Sequence, residues 1–155
     1  MTHTEFELTI LHTNRLKLKE IMEQLPEEKL LHIPTGFSNN ILWQIGHCVV
    51  SCQRLIYFRS GLPLGISDNY NSNFKIGSDP KKWASTPDIP EVKDSLLSTF
   101  NQLQTDLANN IFKTYEPFKA SGGFMVSNHL QALTYANCHE AEHTGSLKYL
   151  MRVVG

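Results

Sequence analysis

The sequence predicts an all-α fold, a four-helix bundle with a long loop between its second and third helices. Three observations lead there. Four segments repeat apolar residues in steps of three and four, the period of one helix face. No β-rich segment or hairpin signal competes with them. The length, 155 residues, suits a single domain over 1–155 that buries a core without disulfides or structural metals.

The first helix is expected from Thr4 to Leu25. Leu8, Leu11, Arg15, Leu18, Met22 and Leu25 form its stripe, and Pro26 disfavours helix at Leu25. The second is expected from Ser38 to Ser60, with Ser38, Asn39 or Asn40 as N-cap and Gly61 as C-cap. Gly61 to Pro87 lacks clear periodicity and is rich in Gly, Pro, Asn, Ser and Asp. A loop this long is either a functional cover or a packed connector, with Phe74 and Trp83 as possible anchors.

The third helix has the clearest start: Asp88 and Glu91 form a D-x-x-E capping box and Pro90 suits the first turn. Val92, Leu96, Phe100, Leu103, Leu107 and Ile111 then share one face. The fourth is expected from Ser127 to Arg152, after Gly122 and Gly123. Leu130, Leu133, Ala136, Leu147 and Leu150 line one side, and Lys148 and Arg152 suit the C-terminal dipole. Connections of roughly a dozen residues mean that the first pair and the last pair need not be simple up-down neighbours.

The charge pattern excludes some functions. Fourteen basic and fifteen acidic residues leave a net charge of -1, and no basic run points to nucleic acid or an anionic membrane. No apolar stretch spans a membrane, and the polar start does not read as a signal peptide. Cys48, Cys52 and Cys138 do not form a disulfide framework, so a cytoplasmic location is expected.

The chemistry concentrates in the histidines. His139 and His143 lie four apart, on one helix face, where two imidazoles can share a metal. Their angular neighbours, Ala132, Ala136, Leu147 and Leu150, turn that face toward the core. The alternatives are a surface pair or core histidines satisfied without metal. His139-Glu140-Ala141-Glu142-His143 also fits the H-E-x-x-H string of zinc proteases. Those enzymes take a third ligand from further along the chain. Here the twelve residues after His143 contain no His, Asp, Glu or Cys, so the protease layout fails and the third ligand is sought upstream.

His47 is the best candidate. It sits mid-helix, shares a face with Trp43, Ser51, Arg54 and Phe58, and has Asn40 and Gln44 nearby, as in the wall of a polar pocket. Gly46 would let another backbone or a ligand come close. Glu140, offset by about 100° from His139, could be a general base, a carboxylate that orients an imidazole, or a flank residue in solvent or a salt bridge. Cys48 and Cys52 are possible metal ligands, but read better as small buried apolar residues.

The run Asn40–His47, N-I-L-W-Q-I-G-H, together with the late H-E-x-E-H-x-G-x-L-K-Y-L at His139–Leu150, resembles the DinB/YfiT-like superfamily over nearly the whole chain. The resemblance implies a four-helix bundle of that type with a three-histidine centre. One ligand comes from the second helix and two from the fourth, here His47, His139 and His143. It further implies one divalent ion (zinc or nickel first, manganese or iron next), a small-molecule substrate, a low-molecular-weight thiol such as bacillithiol, mycothiol or glutathione, and a homodimer. The activities implied are thiol S-transfer or metal-dependent hydrolysis. Three neutral imidazoles leave an ion its charge and open positions, enough to activate water or a thiol. In that reading Glu140 moves a proton, and Arg54 or Gln44 orients substrate. The competing reading is a metal-binding or stress-associated protein with a vestigial site.

Overall fold

Short polar side chains decide where the long helices begin. The computed structural model describes residues 1–155 and is mostly helical, with α1 (His3–Gln24), α2 (Glu27–Leu31), α3 (Ile41–Ile56), α4 (Asp68–Phe74), α5 (Ile89–Ala108) and α6 (His129–Val154). Thr2 and Glu5 cap α1 reciprocally, while Asn40, Asp88 and Asn128 each accept an N–H from the first turns of α3, α5 and α6. Asp88 makes only half of the expected box, because the Glu91 carboxylate accepts from Ser67 Oγ (3.1 Å) instead of turning back.

Three expectations need correction. The second long helix is shorter than Ser38–Ser60. Asn40 caps it, and after Ile56 it tightens into a 3₁₀ turn over Phe58–Ser60 that ends at Gly61, with φ of 71°. The stretch 61–87 contains α4 and a 3₁₀ turn at Pro80–Lys82. Only Tyr70 and Phe74 of α4 are buried, too few apolar positions for a period to show. Finally, β1 (Phe118–Lys119) pairs antiparallel with β2 (Met125–Val126), in strands too short for any alternation.

The four long helices pack in a ring. α6 lies against α3 and α1, and α5 completes the ring by touching both α1 and α3. The consecutive long helices α1 and α3 therefore sit across the ring from each other rather than side by side. The apolar interior falls into two halves, one around Leu18, Ile41, Ile45, Leu96 and Leu147, the other around Leu11, Ile56, Leu103, Leu133 and Ala136. Leu130, expected in the stripe of α6, is exposed. Polar side chains occupy the level between the halves: Arg15 lies between Leu11 and Leu18 along α1, and Glu140 between Ala136 and Leu147 along α6. No helix is long and apolar enough to cross a membrane.

Candidate metal centre

Helix α3 is the most deeply buried element, with thirteen of its sixteen residues inside. His47 stands at its middle and faces α6. His139 and His143, one turn apart on α6, face it in return. The ring centroids are 5.1 Å apart for His47 and His139, 5.2 Å for His47 and His143, and 4.6 Å for His139 and His143. One nitrogen from each ring can be chosen so that all three lie within 4.8 Å of one another. Two nitrogens bound tetrahedrally at about 2.1 Å would be about 3.4 Å apart, a difference within reach of side-chain rotation.

Hydrogen bonds hold two of the three rings. His47 Nδ1–H donates to the carbonyl oxygen of Phe74 at 2.8 Å, so its Nε2 is the lone-pair nitrogen. Ser51 Oγ lies 3.2 Å from that Nε2. The Trp43 indole stacks on the His47 ring at 4.5 Å and 10°, and is itself fixed by Nε1–H donating to Ser78 Oγ. His143 Nδ1–H donates to Gln44 Oε1 at 3.2 Å, and the Gln44 amide nitrogen donates to Asn39 Oδ1. These bonds settle the tautomers of two imidazoles, as partners of metal-ligating histidines do. His139 is different: its Nδ1 is buried and has no hydrogen-bond partner. Such an orphan nitrogen in a cluster of imidazoles fits a bound cation.

The electrostatics favour neutral rings. Burial is the main cause, pushing His139 down to about 3, with His143 and His47 nearby adding to it. His143 falls to about 4 for the same reason, with His47 contributing. Burial also lowers His47, opposed by its bond to Phe74. Neutral imidazole is the ligating form. In the unfolded chain these rings take up protons near pH 6.5, while in the folded chain they resist until about 4 and 3. The metal-free protein is therefore expected to keep its full stability above about pH 6.5 and to lose it steadily as the pH falls toward 4. Thermal unfolding at several pH values checks this, and His139→Gln should flatten the slope.

The close approach of α4 depends on Gly46. A Cβ there would lie 2.5–2.7 Å from carbons of the Phe74 ring. The space that glycine leaves is filled by Phe74, not by a ligand, and it lets the Phe74 carbonyl reach His47. Gly46→Ala is expected to destabilise the fold by about 1–3 kcal/mol through overpacking, measured by urea denaturation, and to weaken metal affinity by disturbing His47.

The remaining site expectations divide. Ser51 and Arg54 line a cavity of about 460 Å³ that opens onto His47 and His139, with Tyr135 and the turn between β1 and β2 on its other side. Gln44 meets a histidine rather than open space. Asn40 is no part of that wall: Oδ1 caps Trp43 N–H (2.8 Å) and Nδ2 donates to the Leu31 carbonyl (3.0 Å), tying α2 to α3. Glu140 as a general base is also corrected. Its side chain is fully buried on the side of α6 facing α1 and α5, and both oxygens accept from Arg15 Nε, at 2.9 and 3.0 Å. A third contact joins Arg15 Nη2 to Glu140 Oε1 at 2.7 Å. A carboxylate so paired is turned toward Arg15 rather than the histidines. Cys48 and Cys52 are buried near this pair, with thiols pushed up by burial, Cys52 to about 12. They are unreactive thiols rather than ligands.

Two contributors, the Phe74 carbonyl and Arg15, are absent from the sequence-based set. Nothing in a sequence marks the Phe74 carbonyl as a histidine partner. Arg15 did carry a signal, as a charged residue inside an apolar stripe, which calls for a buried opposite charge. Compared with known protein families, residues 10–147 match the DinB superfamily. No curated protein matches the chain.

Proposed function

The chain belongs to the DinB superfamily, and on that premise we propose that it is a metal-dependent enzyme of thiol S-transferase or hydrolase type. In this reading 1–155 is one domain and its four long helices form a four-helix bundle of the DinB/YfiT kind. His47, His139 and His143 hold one divalent ion, zinc or nickel before manganese or iron. The observation that carries it is three neutral imidazoles converging beside an open cavity, with one buried nitrogen left unpaired. A closed structural site would have its fourth position filled by protein.

When bound, such an ion lowers the pKa of water or a thiol and so supplies a nucleophile at neutral pH. The chain's own groups orient what enters. Phe74 and Trp43 hold the His47 ring in place and Gln44 the His143 ring. Ser51 Oγ, beside His47 Nε2, can hydrogen-bond a ligand at the mouth of the site. With Glu140 committed to Arg15, Ser51 offers a hydroxyl for that task, 3.2 Å from His47 Nε2. The substrate is a small molecule, with a low-molecular-weight thiol as cosubstrate in the transferase form, and the family resemblance adds a homodimer.

Elemental analysis of protein purified without a histidine tag tests the metal. Close to one ion per chain is expected, and content below about one tenth per chain overturns the reading. Assays with bacillithiol, glutathione and simple esters, with and without chelator, then separate transferase from hydrolase.

A further inference from the structure

The cavity beside the histidines is basic. Its lining holds Arg54, Arg59 and Lys119 among apolar and aromatic side chains, and no Asp or Glu. Arg59 has an acidic partner, Glu116, at 3.6 Å. Arg54 forms no ion pair; its guanidinium rests over the Phe58 ring, 4.7 Å from the centroid. Lys119, at the exposed rim on β1, forms none either. An arginine stacked on an aromatic face keeps its planar fork of N–H donors available at the edge.

The spacing is informative. Arg54 follows His47 by seven residues on α3, two helical turns, so their Cα atoms are about 10 Å apart along the axis. The guanidinium rests on Phe58, four residues further along the chain from Arg54. Val50, Leu55, Phe118 and Tyr135 line the same cavity and offer apolar and aromatic contact.

We propose that this cavity recognises an organic anion at two points, with a carboxylate or phosphate head held at Arg54 and an apolar body that reaches back to the histidines. The proposal rests on the metal-centre reading for what happens at the far end, but the anion site itself needs only Arg54 and the cavity. A bidentate guanidinium contact supplies the head group with charge-assisted hydrogen bonds. The body must span about 10 Å, roughly eight carbons of extended chain. Lys119 adds attraction at the entrance, which salt should screen.

Three probes of equal chain length test it by calorimetry on the zinc-loaded protein: octanoate, octyl phosphate and octanamide. Octanoate, octyl phosphate or both should bind about tenfold or more tightly than octanamide, and the stronger of the two names the head group. Arg54→Gln should abolish that preference while leaving octanamide binding and zinc content unchanged. Equal binding of all three probes overturns the proposal, as does a preference that survives Arg54→Gln. If the preference survives the substitution but vanishes in zinc-free protein, the anion sits on the metal and the proposal also falls. An Arg54-dependent preference in protein that binds no zinc upholds the anion site while the metal reading fails. Zinc binding without the preference does the reverse.

Discussion

Glu140→Gln is expected to destabilise the protein by about 3–5 kcal/mol, the usual cost of leaving one member of a buried ion pair alone. Arg15 and Glu140 side chains are 1% and 0% exposed, so water cannot take the place of the missing charge. The remaining Arg15 partners are weak, with Leu96 O at 3.5 Å and Thr99 Oγ1 at 3.4 Å. Arg15→Met should cost a similar amount. The double change Arg15→Met with Glu140→Leu should recover most of the loss, because two apolar side chains of similar volume remove both buried charges together. Urea denaturation of the metal-free chains reads these differences directly. A Glu140→Gln protein of wild-type stability would show that the carboxylate is not bound as a structural partner, and would reopen its role at the histidines.

The second large effect lies on the adjacent face of the same helix. His139→Ala and His143→Ala should each lower metal affinity more than a hundredfold, since losing an orienting partner alone typically costs about 10–100-fold. Gln44→Ala falls in that smaller range, because it frees His143 Nδ1 without removing a ligand. The histidine variants should still fold, with the metal-free form no less stable than wild type near pH 7, since each change removes a desolvated imidazole that lacks a full set of partners. Equilibrium dialysis with zinc, alongside thermal unfolding, separates loss of affinity from loss of structure. Retention of a full metal equivalent by His139→Ala would place the ion elsewhere.

Both predictions turn on α6, and they show how far periodicity reaches. The spacing of His139 and His143 puts them on one face, and the apolar residues along that face turn it inward. Both features are local and follow from 3.6 residues per turn. The third histidine was legible for a similar reason, as a mid-helix polar residue on a face with Trp43, Ser51 and Arg54. Gly46 was legible as a point of close approach, although not as the seat of Phe74. The stretch 61–87 was harder, because one short helix with two buried residues leaves no pattern in a polar segment. The paired strands, two residues each, leave none either.

The sequence by itself determined a mostly helical chain, the long helices and most of their boundaries, and the candidate histidines. Only the tertiary structure decided what each face of α6 meets. Helical geometry says that Glu140 points about 100° away from His139, but not whether water, metal or another charge waits there. Arg15 is 125 positions away in the chain, and packing alone brings it to Glu140. The same holds for the Phe74 carbonyl on His47 and for the cations around the cavity. Periodicity assigns a residue to a side of its own helix. The partner on that side is fixed by contacts between segments distant in the chain, and a buried charge makes that choice costly to change.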